Sequence, residues 1–376
     1  MLPRECEYLI RWIRSVIHGT TPEELPEDLS FQKIYDLALI NDVSNLMCYA
    51  VEKLDRKPEE ELLSLLRTRR DMAIAKDMNQ AFAREELVQA LREKNIPLLE
   101  LQGTVLKELY PRREYRTMSD LDFMIPLSKL EEAGQILQSL GYDIHEVEGV
   151  EIDGHRPSNI YVEIHTEYFS CDTFLHRSMG DPDFSPHRSE GEKLRELYLY
   201  NILHVAKHYF STGCGLRRVL DVFYLQTRYG EQLQALNVQE DLRKIGLLEF
   251  AKELTDLAMD WFAHTEFRWN QGDMAQCILT SSLHGNKNNF FRSKLLELSE
   301  ENSFRSGNKC RYLLSRIFPG GKIMYRNYPF LKKYPILYPP CWIHRGIKLI
   351  TTGRLSRATE ELKMVVEAKE DHRKRH

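Results

Sequence analysis

Ser119-Asp120-Leu121-Asp122-Phe123-Met124-Ile125-Pro126 is the stretch on which the fold turns. Leu121, Phe123 and Ile125 recur at every second position, the spacing of a short strand with one face in a core. On such a strand Asp120 and Asp122 share the opposite face, because side chains two apart point the same way. Two carboxylates this close repel each other unless a cation sits between them. An Asp-x-Asp alone is commonly a solvated turn, so its surroundings decide the reading.

Upstream, Ile96-Pro97-Leu98-Leu99-Glu100-Leu101 has the pattern of a buried strand and runs into Gln102-Gly103-Thr104. The following Val105-Leu106-Lys107-Glu108-Leu109-Tyr110 has helical spacing, with Lys107 on a solvated face. A strand, a glycine turn and a helix start let backbone N–H groups approach an anion. Downstream, Tyr161-Val162-Glu163-Ile164-His165 alternates as a strand. Val162 and Ile164 take one face and Glu163 and His165 the other, so a third carboxylate is available.

Strand, Gly103-Thr104 turn, helix, Asp120-x-Asp122 strand and Glu163 strand together resemble the nucleotidyltransferase superfamily that includes polymerase beta and the aminoglycoside nucleotidyltransferases. More closely, Gln102-Gly103, Leu109-Tyr110-Pro111, Arg116, Asp120-Leu121-Asp122-Phe123 and Glu163-Ile164-His165 resemble an uncharacterised bacterial family of nucleotidyltransferase-like proteins. Weaker likeness continues through Leu203 to His208, Arg218 to Asp221 and Tyr328-Pro329. The turn is Gly-Thr where the superfamily usually has Gly-Ser or Gly-Gly, and Thr104 keeps a hydroxyl. The third acid is Glu163 rather than the commoner Asp, and it keeps a carboxylate.

The resemblance implies an α+β fold. Its core is a polymerase-beta-like mixed sheet with flanking helices, set between helical N-terminal and C-terminal regions. The expected divisions are 1–90 (helical), 91–180 (nucleotidyltransferase core) and 181–376 (helical). In the N-terminal part Phe31 to Ala38 and Leu46 to Val51 repeat apolar residues at helical spacing, with breaks at Pro22, Pro26 and Pro58. Gly180 to Pro186 is a loop by its glycine and prolines.

The implied activity is transfer of a nucleoside monophosphate from a nucleoside triphosphate, with ATP the expected donor, to a hydroxyl of a small molecule, peptide or protein. A phosphotransferase or a non-catalytic nucleotide-binding module on the same fold is the alternative. Such a reaction needs Mg²⁺ or Mn²⁺, which takes oxygen ligands from a few carboxylates and the substrate phosphates. Asp120, Asp122 and Glu163 are the expected metal ligands and catalytic acids. Gly103 and Thr104 are expected at the phosphates, with Arg116, Ser119, His165, Lys207 and His208 as further nucleotide contacts. His204 and His208 are four apart on one helix, the spacing of a two-histidine zinc helix, yet Val205 replaces the glutamate such a helix requires. Polar residues facing a nucleotide cleft are the better reading. Arg218 and Asp221 read as a local ion pair one helical turn apart.

Composition bounds these expectations. The 376 residues carry a formal net charge of −4, against the strongly basic balance of proteins that coat nucleic acid. Seven scattered cysteines (Cys6, Cys48, Cys171, Cys214, Cys277, Cys310, Cys341) include no Cys-x-x-Cys pair, which fits a reducing cytoplasm. Met1 to Gly19 reads as a charged amphipathic helix rather than a signal peptide, and no run reaches membrane-spanning length. The aromatic and proline-rich Phe330 to Ile350 reads as a packed element, and His372 to His376 as a solvated end.

Overall fold

Apolar periodicity in the first ninety residues produces four helices. In α1 (Arg4–His18) the buried stripe is Cys6, Leu9, Ile10, Ile13 and Ile17. Gly19, at φ 69°, ends it by donating its N–H to Ser15 and Val16 carbonyls, a conformation that glycine adopts freely. α2 (Phe31–Ile40) starts at Ser30, whose side chain accepts from the Lys33 N–H, and α3 (Ser44–Val51) follows directly. α4 (Glu60–Glu93) is 34 residues long, about 50 Å, and ends before Asn95, which takes a left-handed φ of 53°. The computed structural model describes residues 2–280 and 324–351, apart from 148, 158, 170–173, 211–212, 265–266 and 325–327.

Five strands then form one mixed sheet: β1 (Leu99–Glu100), β2 (Leu121–Met124), β3 (Asp143–Val147), β4 (Glu151–Arg156) and β5 (Ile160–His165). Their order is β1-β2-β5-β4-β3, with β2 and β5 parallel and every other pair antiparallel. The helices α5 (Gln102–Lys107) and α6 (Leu130–Ser139) lie between the early strands. One sheet face presents Leu121, Phe123, Ile152, Val162 and Ile164 to Ala83, Leu87 and Leu91 of α4 and to Ala133 and Leu137 of α6. Each fully buried side chain of this kind contributes about 1.5–3 kcal/mol, so the core pins the face that carries it. The opposite face is thereby left for polar side chains.

Three local expectations change. β1 is only Leu99–Glu100, because Pro97 offers no N–H to a ladder and the chain enters α5 at Gln102. Gly103 and Thr104 therefore stand in the first turn of α5 rather than in a turn before it. Lys107 is not on a solvated face. It is 1% exposed, and its Nζ lies 2.6 Å from Asp77 Oδ1 of α4, an acid that also accepts from Arg113.

After β5 come α7 (Phe174–Met179), α8 (Glu190–Phe210), α9 (Leu216–Ala235), α10 (Val238–Lys244), α11 (Leu248–Phe262) and α12 (Asp273–Thr280). At the start of α8, the Ser189 hydroxyl accepts from the Glu192 N–H while the Glu192 carboxylate accepts from the Ser189 N–H, a reciprocal capping box. The chain divides into two units, Met1–Thr166 with Pro182–Asn286, and Glu167–Asp181 with Lys287–His376. The second unit holds α7 and a last helix, α13 (Tyr338–Thr351), with a small cluster of Met324, Leu331 and Cys341 backed by Tyr328, Tyr338 and Trp342. The segment Phe330 to Ile350 thus supplies part of a core, although Ile336 and Ile343 are exposed. Cys171, Cys310 and the terminal His372 to His376 lie outside the described residues, and the other five cysteines are buried free thiols. No helix among the described residues is long and apolar enough to cross a membrane. The architecture is α+β, a mixed five-stranded sheet with flanking helices.

Candidate functional site

The register of three strands gathers the acids. Asp122 of β2 stands opposite Glu163 of β5, and Met124 opposite His165. On the other side of β5, Asp153 of β4 stands opposite Glu163 and Glu151 opposite His165. Residues directly across a ladder share a face, so Asp122, Glu163, His165, Asp153 and Glu151 all lie on the face away from the apolar core. One carboxylate oxygen each from Asp122 and Glu163 and a ring nitrogen of His165 come within 4.8 Å of one another. Asp120 sits just before β2, where the Ser119 hydroxyl donates to its Oδ1 at 3.2 Å.

The charges on this face are strained. Burial pushes the Glu163 carboxyl up to about 7, and the neighbouring Asp120 and Asp122 push it in the same direction. Asp120 is also raised, by burial and then by Asp122, against the pull of Ser119 and Arg217. His165 compensates in part. Its Nε2 lies 3.5 Å from Asp122 Oδ1 and 3.5 Å from Glu163 Oε2, and its Nδ1 lies 3.2 Å from Glu151 Oε2. Burial alone lowers its pKa, but hydrogen bonds to Asp122 and Glu151 outweigh that and bring it to about 10. The face is a nest of carboxylates around one imidazolium, and its oxygen-rich donor set suits a hard divalent cation.

α5 borders the nest. A Cβ on Gly103 would stand 3.1 Å from Met118 Sδ, 3.7 Å from Arg116 Nη1 and 3.8 Å from Asp122 Oδ2, so the missing side chain lets α5 pack this close to the acid. Thr104 is buried, and its hydroxyl donates to the Leu101 carbonyl at 3.2 Å. Arg116 is 4% exposed and donates from Nη1 to the Gly103 carbonyl at 3.2 Å. Its Nε and Nη2 bind the two oxygens of Asp221 at 2.7 and 2.9 Å, and Tyr110 donates to the same carboxylate at 2.7 Å. Asp221 is therefore the partner of Arg116 and not of Arg218, because Arg116 approaches it from the core side of α9 with both arms of its fork.

This buried pair ties the α5 backbone to α9, and breaking it leaves a guanidinium without its anion. Asp221→Asn is expected to lose about 3–5 kcal/mol in a urea titration. An unchanged midpoint would show that the pair does not hold the two elements.

α8 carries His204, Lys207 and His208. His204 Nδ1 accepts from Arg218 Nη1 at 2.8 Å and is in contact with Gln102 Nε2, while His204 Nε2 and His208 Nε2 are 3.2 Å apart. Arginine can only donate, so His204 Nδ1 carries a lone pair and its proton sits on Nε2, facing His208. Burial, then the cation Arg218, holds both rings neutral, with His208 lowered to about 3. Lys207 is exposed, within electrostatic reach of Glu151.

The sign of the His208 shift gives a pH dependence. An unfolded histidine takes a proton near pH 6.5 and the folded one only near 3, so its contribution to stability is lost as pH falls through that window. Going from pH 7 to pH 5, wild-type protein should lose thermal stability relative to His208→Leu. A constant difference in Tm would mean that the ring takes up its proton as readily in the fold as in the unfolded chain.

Sequence reasoning missed Glu151, Asp153, Gln102 and Tyr200. Glu151-Ile152-Asp153 repeats the acid-apolar-acid spacing of Asp120-Leu121-Asp122, which was the available signal. Gln102 carried none, since its role depends on Asn201 Nδ2, which donates to its Oε1 at 3.0 Å from 99 residues away. Neither the curated proteins nor the solved structures contain a match to this chain. The model of a family described as "Uncharacterised nucleotidyltransferase" matches residues 27–263, more than half of the chain and all five strands. The chain belongs to this uncharacterised nucleotidyltransferase family.

Proposed function

We propose that this protein transfers a nucleoside monophosphate from a nucleoside triphosphate, with ATP the expected donor, to a hydroxyl of a small molecule, peptide or protein. The observation that carries the reading is the pairing of Asp122 with Glu163 across parallel strands, with Asp120 close enough to raise the Glu163 pKa. Asp120, Asp122 and Glu163 would hold Mg²⁺ or Mn²⁺, whose charge offsets that building on the attacking and leaving oxygens. Glu163, a carboxylate directly across the ladder from Asp122, is suited to take the proton of the attacking hydroxyl. His165, fastened to Glu151, keeps Asp122 and Glu163 in place through its Nε2. Gly103 lets the first turn of α5, which also carries Thr104, approach Asp122, where the phosphates would sit. Arg116 acts on that turn by holding the Gly103 carbonyl. Lys207 and His208 lie on the helix that contributes His204 and Tyr200 to the same region. The net charge of −4 argues against a nucleic-acid acceptor.

Triphosphate labelled separately at the α and γ positions, incubated with the protein, Mg²⁺ and fractionated extract, tests the reading. Label is expected on the acceptor from the α position, with unlabelled pyrophosphate released. Label arriving only from the γ position would make the protein a phosphotransferase.

A further inference from the structure

The arginine that the sequence pairs with Asp221 has lost its anion. Asp221 gives both oxygens to Arg116, and among the described residues no carboxylate oxygen lies within 4.0 Å of Arg218. The one hydrogen bond of the Arg218 guanidinium runs from Nη1 to the neutral His204. Its Nε and Nη2 make none to any described residue. Neighbouring arginines are placed differently: Arg217 lies on Asp42 and the Thr117 carbonyl, and Arg113 on Asp77 and Glu108.

A cation largely withdrawn from water and facing no anion is costly, and the cost is removed when an anion arrives. Burial depresses the pKa of Arg218, with Arg217 and Arg116 acting in the same direction, against the opposing pull of Cys214 and of the more distant Asp221. It is hydrogen-bonded to His204, which is itself in contact with Gln102 and His208. Gln102 immediately precedes Gly103, the residue of α5 that approaches Asp122. Tyr200, on the same helix as His204, is buried, and Asp122 and Arg218 both act on its hydroxyl electrostatically.

We propose that Arg218, presented by His204 and Gln102, binds the terminal phosphates of the triphosphate with the free edge of its guanidinium. This rests on the nucleotidyl-transfer reading above. A planar fork of two N–H donors matches two oxygens of one phosphate or of adjacent phosphates. His204 is a positioning residue in this scheme. Being neutral, it accepts from Arg218 without cancelling its charge and aims the remaining donors. In nucleotidyl transfer these phosphates leave as pyrophosphate, so a fixed cation at that end also favours departure of the leaving group.

The test is calorimetric titration of wild type, Arg218→Gln and Arg218→Lys with Mn²⁺ and a non-hydrolysable ATP analogue, and separately with AMP. Arg218→Gln is expected to weaken the triphosphate analogue by roughly 10- to 100-fold, the loss of charge-assisted hydrogen bonds. AMP affinity should change less than about twofold, since a monophosphate lacks the groups Arg218 binds. Arg218→Lys keeps the charge without the fork and should fall between the two. It decides the matter if the glutamine variant does not fold. Unchanged affinity for the triphosphate in a folded variant, or equal losses for triphosphate and AMP, overturns the proposal and leaves the nucleotidyl-transfer reading standing. Wild-type protein that binds no triphosphate at all overturns that reading itself.

Discussion

Asp122→Asn is expected to lower nucleotide transfer by about a thousandfold, the consequence of removing several kcal/mol of charge stabilisation at the reacting phosphorus. The side chain keeps its size and its place on β2, between the buried Leu121 and Phe123, so the sheet should survive. What changes is the donor set. Asp122 shares the 4.8 Å cluster with Glu163 and His165, faces Glu163 across the ladder and accepts from His165. Neutralising it also relieves the repulsion that raises Asp120 and Glu163, so the metal-free protein should be no less stable. Transfer of α-label to acceptor, with thermal denaturation of the same sample, reads both effects. A variant that loses fold and activity together would make Asp122 a structural residue, and full activity would remove it from the chemistry.

Glu163→Gln is expected to behave differently. A general base acts in the transition state, and losing one typically lowers rates by about 10²–10⁴ with little change in ground-state binding. Affinity for the triphosphate should therefore stay within a few-fold of wild type while turnover falls by two orders of magnitude or more. The pH profile carries a second signature. A carboxylate that must be deprotonated to act gives wild-type turnover a rising limb on the acid side, and the residual activity of Glu163→Gln should lack it. Equal losses in binding and turnover would make Glu163 chiefly a ligand of the bound metal nucleotide, and retained turnover would give the proton to another group.

Much of this site is legible in the sequence because strand periodicity is local. The alternation in Leu121 to Ile125 and Val162 to Ile164 is enough to set Asp122 and Glu163 on the polar face, and the structure pairs them across β2 and β5. The pairing of β2 with β5 is not local, whereas β4 forms a hairpin with β5 whose acid-apolar-acid pattern was not read as a strand, so Glu151 and Asp153 entered the site without notice. Ion pairing was the least legible feature. Arg218 and Asp221 sit one helical turn apart, yet Arg116 takes the carboxylate from 105 residues away. Lys107 looks like a surface residue until α4 brings Asp77 against it. Helix periodicity announces which face is apolar, but not which distant charge will be buried against it. The short α5 shows the same limit at backbone scale. Gly103-Thr104 reads as a turn by composition, and the hydrogen bond from Thr104 to Leu101 draws it into a helix.

On the proposed function, the acidic face of β2 and β5 would hold a divalent cation together with a nucleoside triphosphate. Calorimetric titration of a non-hydrolysable ATP analogue into the protein, with Mn²⁺ and then with excess chelator, tests it most directly. The account predicts saturable binding with Mn²⁺, lost with chelator and lost in the Asp120→Asn/Asp122→Asn double variant while its thermal transition persists. Binding that is undiminished in the folded double variant would contradict it.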